Sequence, residues 1–342
     1  MLAKNTQTKA LHWLGKQLFN RNDPAAFFDP LLEQISPMLV QGHTPARIEQ
    51  VIQETPDTRT FVLKPVARWA GFQAGQHINI SVEVNGVLRS RTFSLSSSPE
   101  LWAQQGLVTL TIKRLPGGLV TNWLHDKLGC GTVIGLGEAF GDFLLPQPPH
   151  PVLFIAGGSG ITPVLSHLET MVAQDFRAPV TLLYFVRTHK DIIAAEQLKA
   201  LESRYGALTL SIIATDESDK PRYLKSQDLE AVPGLKARQI FLCGPMGLMD
   251  LANELLRKQG VREQDIHSTF FSTAAPALSA DLENQALGGK VQFEKSNLQA
   301  SSEGDASLLE IAEASGLRPR HGCRMGICHQ CSCRKTSGTV IN

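Results

Sequence analysis

The stretch VLFIAGGSGITP, residues 152–163, decides how this chain is read. Five apolar residues without a polar break suit a strand buried on both faces, as in a parallel sheet. The glycine turn after them runs into a helix from about Ile161, whose N-terminal amides are then aimed at whatever lies beyond the strand. Further apolar strands alternate with helical stretches downstream: VTLLYF, a helix from about Ile192, LTLSIIA, then QIFLCG and a helix through Arg257. This alternation predicts an α/β domain with a parallel, doubly wound sheet over residues 149–271. Such sheets bind ligands beyond the carboxyl ends of their strands. GGSGITP at 157–163 and CGPMGLM at 243–249 both stand there, and a dinucleotide pyrophosphate is the chemistry they fit.

On the N-terminal side, residues 43–148 carry period-two segments, HINISVEV and VTLTIK, a hairpin signal at Asn85-Gly86 and many glycines, and they predict an antiparallel β-barrel. Residues 1–42 read as an appendage. Leu11, Leu14, Leu18 and Phe19 share one face of a helix before Pro24, Pro30 and Pro37 break the chain. That helix docks on the main body or, through Lys4, Lys9, Lys16 and Arg21, touches a membrane surface or a partner. On the C-terminal side, residues 272–288 are small, polar and weakly patterned, as a linker is. Residues 289–342 open with a strand, KVQFEK, and continue with a helix in DASLLEIAEASG, capped by Asp305 or Ser307, with a Leu308-Leu309-Ala312 face and a stop at Gly316.

A length of 342 residues exceeds what one core usually supports, so two or three domains are expected. Lys+Arg 33 against Asp+Glu 32 leaves a formal charge of +1, which removes the electrostatic case for a nucleic-acid binder. The N-terminus lacks an uninterrupted apolar signal region and the longest apolar run is too short to span a bilayer, so a cytoplasmic, non-transmembrane protein is expected. Cys130 and Cys243 stand alone, whereas Cys323, Cys328, Cys331 and Cys333 crowd one short stretch. In a reducing compartment that crowding suggests metal ligation. The first three form C-x-x-x-x-C-x-x-C, a plant-type 2Fe-2S spacing, within HGCRMGICHQC, where Gly322 and Gly326 keep the loop thin. A zinc site is the alternative for clustered cysteines.

Within the barrel region, RTFS at 91–94 ends a strand and GGLVT at 117–121 opens a helix. An arginine fork suits pyrophosphate, an aromatic can lie on an isoalloxazine face, and a hydroxyl can bond a ring nitrogen. Paired glycines at a helix start let amides approach phosphate.

These motifs, in this order, resemble the ferredoxin-reductase family, with its R-x-Y-S, G-G-x-x-S, G-G-x-G-x-T-P and C-G-P-x-x-x-M signatures and a C-terminal β-grasp (α+β) ferredoxin domain. The resemblance implies that Arg91 holds flavin phosphate, beside Thr92, that Phe93 stacks on the ring and that Ser94 bonds it. It further implies that Gly117, Gly118, Val120 and Thr121 cradle phosphate and that Lys113 lies on the strand between. Phe93 replaces the usual tyrosine and Thr121 the usual serine. FAD is the expected flavin, with FMN as the alternative.

The same resemblance assigns Gly157, Gly158, Gly160, Thr162 and Pro163 to the NAD(P) turn. It places Cys243 near the nicotinamide, followed by Gly244, Pro245 and Met246, and Phe271 as a shield over the flavin, with Thr269 where glutamate is common. Arg187 and Asp216 stand where the adenosine ribose is read. NADH or NADPH fits, and Asp216 inclines the reading to NADH. The implied function is hydride transfer from NAD(P)H to flavin, then single electrons to a 2Fe-2S centre ligated by Cys323, Cys328 and Cys331. In resembling ferredoxins a fourth cysteine lies further downstream, so the ferredoxin module is expected to be C-terminally incomplete here. The implied acceptor is an iron protein, a fatty-acid or acyl-CoA desaturase first and a Rieske or di-iron oxygenase second. A flavin-only diaphorase and a non-catalytic redox sensor are the rival readings.

Overall fold

A computed structural model describes residues 32, 34–40, 44–84, 87–147, 149–217, 221–270, 289–302, 307–317, 319 and 333–338. The helix expected over Leu11 to Phe19, the Asn85-Gly86 turn, the 272–288 linker, Phe271 and Cys323, Cys328 and Cys331 lie outside the described residues.

Six strands form the first sheet: β1 Thr44–Thr55, β2 Thr58–Pro65, β3 His77–Val84, β4 Val87–Ser94, β5 Val108–Lys113 and β6 Val133–Leu136. Their order is β4-β3-β6-β1-β2-β5, and neighbouring strands pair antiparallel. A bridge between Leu95 and Leu110, with Ser96 N donating to Thr109 O at 2.9 Å, joins the two edges and closes the barrel. Alternation does what the period-two reading requires: Ile78, Ile80, Val82 and Val84 of β3 meet Val108, Leu110 and Ile112 of β5 in one core. Burying each such side chain contributes roughly 1.5–3 kcal/mol. Val84 pairs directly with Val87, so β3 and β4 form the expected hairpin.

Two barrel helices place the site. α1, Pro99–Gln105, is capped by Ser98, whose hydroxyl accepts from Leu101 N, and stops at Gly106 with φ +66°. α2, Leu119–Lys127, begins at Gly118 and buries Val120, Thr121, Leu124 and His125.

The second sheet holds β7 Val152–Gly157, β8 Val180–Val186, β9 Leu208–Ala214, β10 Gln239–Gly244 and β11 Ile266–Phe270, in the order β11-β10-β7-β8-β9, all parallel. The order reverses between β7 and β10, which is the crevice where doubly wound sheets bind ligands. Successive residues serve opposite faces. Phe154 and Ala156 pack under α3, Ile161–Ala173, and α4, Ala195–Arg204, whereas Leu153 and Ile155 join α5, Ser226–Glu230, and α6, Met246–Lys258. α4 begins at Ala195, three residues later than its sequence reading, because Ala194 sits at φ +56° and turns the chain first.

The third sheet pairs β12 Gly289–Phe293 with β13 Leu298–Ser302, and α7 covers Leu308–Ala314. Ser307, not Asp305, is its cap, in a reciprocal capping box with Glu310. Of the expected face Ala312 is buried and Leu308 is exposed, with Ile311 buried in addition.

Candidate active site

β4 presents the first half of the site. Alternation puts Arg89, Arg91 and Phe93 on one face of the strand and Thr92 and Ser94 on the other. Arg91 donates through Nη1 to Ser90 O at 2.8 Å, Thr92 Oγ1 donates to Asn79 Oδ1 at 2.7 Å, and Phe93 packs half-buried on the barrel core. Ser94 is 4% exposed and its hydroxyl, sealed from solvent, has no hydrogen-bond partner. A buried polar atom left this way costs stability unless something completes it, so a ligand atom beside Ser94 fits. Arg89 Nε and Asn122 Oδ1 are buried and unpartnered in the same way. Neither was singled out from the sequence. The available signals were Arg89's strand parity with Arg91 and Asn122's place directly after GGLVT.

At the helix end of the cradle, Gly118 caps α2, and the first helical bond, Asn122 N to Gly118 O, leaves the amides of Leu119, Val120 and Thr121 at the positive end of the helix dipole. Gly117 turns the chain at φ +71°. A Cβ on Gly118 would stand 2.5 Å from Thr121 Oγ1, which accepts from Leu115 N at 3.2 Å. Thr121 therefore also holds the loop shape, and the Val120 side chain belongs to the core, leaving its amide to the cradle. Lys113 ends β5 and pairs with Asp57 at 3.0 Å.

The second half lies at the switch between β7 and β10. Glycines there divide by task. A Cβ on Gly160 would meet Cys243 O at 2.0 Å, one on Gly157 would meet Leu248 Cδ2 at 2.7 Å, and one on Gly244 would meet Gly157 N at 3.0 Å. These three let the two motifs touch. Gly158 instead has φ +52° and open space where its Cβ would be, so its task is the turn of the backbone and not contact between the motifs. Thr162 Oγ1 donates to Ser159 O at 3.0 Å and holds the turn, while Pro163 is buried in the first turn of α3.

Cys243 is buried among Phe241 and Ala156, and burial pushes its thiol well above the ordinary range, so it stays neutral. Pro245 leads into α6 in extended conformation and Met246, the first helical residue, is 44% exposed. β11 runs parallel to β10 with Phe270 level with Gly244, which delivers the chain before Phe271 to the same end of the sheet. A cleft of about 450 Å³ at the ends of β8 and β9 is lined by Arg187, Thr188, Lys190, Asp191 and Asp216 together with Pro56 and Asp57 from the barrel hairpin. Arg187 pairs with Asp191 at 3.5 Å; burial pushes the Asp191 carboxyl up, but the Thr188 hydrogen bonds, with Arg187 and Lys113 adding less, hold it below its usual range. Asp216 N donates to Arg187 O at 2.9 Å, so the two ribose-reading candidates are tied together.

Cys333 is exposed and unpaired in a disulfide. No helix among the described residues is long and apolar enough to cross a membrane.

Comparison with known proteins agrees with this geometry. Residues 45–143 match the oxidoreductase FAD-binding domain, residues 154–254 the oxidoreductase NAD-binding domain, and residues 291–342 the 2Fe-2S iron-sulfur cluster binding domain. An NADPH oxidoreductase of Mycobacterium tuberculosis is 32% identical over 91% of this chain and 80% of its own. The glycine betaine monooxygenase reductase subunit of Chromohalobacter salexigens is 30% identical over 92% and 90%. Among solved structures, phthalate dioxygenase reductase aligns with a TM-score of 0.64 at 21% identity, covering 85% of each chain, a likeness of fold. With a flavin cradle on the barrel, a dinucleotide turn at the sheet's switch point and the iron-sulfur domain after both, the chain belongs to the ferredoxin-reductase family as an NAD(P)H-dependent flavoprotein oxidoreductase with a 2Fe-2S domain.

Proposed function

We propose that this reductase draws electrons from NADH and delivers them one at a time to the terminal component of an oxygenase. The observation that carries the reading is the order of three cofactor domains, shared over nine-tenths of both chains with a protein named as a monooxygenase reductase subunit. That relative favours an oxygenase over the desaturase suggested by the N-terminal arm and module order.

In this reading Arg91, with Arg89 on the same strand face, would hold the FAD pyrophosphate together with the first amides of α2. Phe93 would lie on the ring system, and the sealed Ser94 hydroxyl would bond a ring nitrogen. Bound FAD supplies a two-electron acceptor that can release electrons singly. Gly158 and the first turn of α3 would hold the dinucleotide pyrophosphate, and neutral Cys243 would support the nicotinamide end with Phe271 closing over it. The cleft carrying Asp57, Asp191 and Asp216 beside Arg187 and Lys190 opposes a 2′-phosphate, which is the reason for choosing NADH over NADPH. Cys323, Cys328 and Cys331 would ligate the cluster.

Purified holoprotein should bleach its flavin band faster with NADH than with an equal concentration of NADPH. C328S should keep ferricyanide reduction and lose cytochrome c reduction. If cytochrome c reduction survives in C328S, the flavin-only diaphorase reading stands instead. Given purified glycine betaine monooxygenase terminal component or a purified acyl desaturase as acceptor, the reductase should sustain turnover of the first. Support for the desaturase alone would overturn the proposal.

A further inference from the structure

A string of hydrogen bonds joins the flavin barrel to the dinucleotide turn through Glu54. Glu54 is near the end of β1, and its Oε1 accepts from Thr60 Oγ1 at 2.7 Å while its Oε2 accepts from Ala194 N at 3.1 Å, across the junction between barrel and α/β domain. On the α/β side the preceding amide, Ile193 N, donates to Tyr184 Oη at 3.3 Å, and that hydroxyl donates to Gly158 O at 3.1 Å. Tyr184 is fully buried. Gly158 turns the backbone of the proposed dinucleotide loop at φ +52°, and Ala194 is held in a left-handed conformation that an alanine rarely adopts.

On the barrel side the string continues through buried hydroxyls: Thr60 to Thr111 at 2.8 Å, Thr111 to Ser96 at 2.9 Å and Ser96 to Thr109 at 2.9 Å. Geometry alone leaves the direction of these three bonds open. Thr60 commits its one hydroxyl proton to Glu54, and that orients them all: Thr109 donates to Ser96, Ser96 to Thr111 and Thr111 to Thr60. The far end lies at the barrel seam, two residues beyond Ser94. One carboxylate thus ties the strand end that carries the flavin hydroxyl to the turn that carries the dinucleotide.

We propose that Glu54 is a positioning residue for hydride transfer, setting the register of the Gly158 turn against the flavin through Ala194, Ile193 and Tyr184. It touches no reacting atom. Its contribution is alignment, and small misplacements by residues remote from the chemistry can lower a rate by up to about a hundredfold. The inference rests on nicotinamide-to-flavin transfer and not on the acceptor proposed above.

Stopped-flow reduction of the flavin by saturating NADH, in full-length holoprotein with no acceptor present, tests it. E54A should lower the limiting rate about tenfold or more, with flavin content unchanged and the apparent Kd for NADH moved less than about threefold, as expected when alignment and not uniform binding is lost. E54Q should restore the rate to within about twofold, because its Oε1 can accept from Ala194 N while its amide donates to Thr60 and the hydroxyl string reverses. Y184F should resemble E54A, and the double variant should lose no more than the worse single one, since both act on one chain. An unchanged rate in E54A, a fall matched by flavin loss, failure of E54Q to rescue, or fully additive losses would each overturn the proposal. Failure of wild-type flavin to bleach with NADH or NADPH would instead sink the hydride reading itself, before any variant is compared.

Discussion

Ser94 leaves a hydrogen bond unmade at the protein's own expense. Its hydroxyl is sealed at the end of β4 with nothing to bond, and an unsatisfied buried polar group costs roughly 1–3 kcal/mol. S94A should therefore stabilise the flavin-free protein by about 1 kcal/mol in urea unfolding. The same change should weaken flavin retention and slow flavin reduction by about tenfold, on the order of one hydrogen bond. A loss of apoprotein stability would mean that the hydroxyl has a structural partner. RTFS was legible as a ligand motif because arginine, aromatic and hydroxyl follow one another at a strand end. Arg89 and Asn122 were not legible, because their significance is burial without a partner, a property of the folded surroundings.

At the scale of elements, the two glycine turns work as one object. Gly160 has an ordinary helical φ of −62°, yet its Cβ would fall 2.0 Å from Cys243 O, whereas Gly158 has the unusual φ and empty space. G160A should thus destabilise by about 3 kcal/mol or more through overpacking. G158A should cost only about 1–2 kcal/mol for the left-handed backbone. Chemical denaturation of both variants checks the ranking, and the reverse order would contradict the packing of one motif on the other. The parallel strands, β3, β5 and the long helices are legible from period and length, whereas β1, β2, β6 and β13 are not singled out by them. α1 and α5 escaped, since seven and five residues are too few to display a helical period, although Ser98-Pro99-Glu100 carried a start signal. The beginning of α4 was misplaced because Ile192, Ile193 and Ala194 look helical by composition, while the Ala194 amide is committed to Glu54 on the other domain.

At the scale of the whole molecule, the barrel and the α/β domain meet through polar groups set into apolar surroundings. Ser166 Oγ donates to Ser97 O at 2.6 Å, and Ser98 N donates to Glu169 Oε2 at 2.8 Å, where burial, only partly opposed by the hydrogen bonds, pushes the carboxyl up. His167 Nε2 donates to Phe143 O at 2.9 Å on the segment joining the domains, and a Cβ on Gly75 of the barrel would strike both. Burial holds His167 at a pKa of about 4, the Phe143 carbonyl offsetting little of it. Unfolded, the ring takes up its proton near 6.5, so between pH 6.5 and about 4 the unfolded chain binds more protons and stability falls as the pH is lowered. H167Q keeps a donor for Phe143 O without titrating. Its stability should decline less steeply than wild type across that window by about 1 kcal/mol per pH unit, read from urea unfolding at successive pH values; equal slopes would remove His167 as the cause. Period, glycine turns and cysteine spacing are local along the chain, and they carry the parallel and antiparallel sheets and the order of flavin, nicotinamide and iron-sulfur domains. Folding is needed to separate the glycines that let the two motifs pack from Gly158, which does not, and to bring Glu54 to Ala194. Those facts depend on contacts between residues as many as 140 positions apart, and no local pattern encodes such a distance.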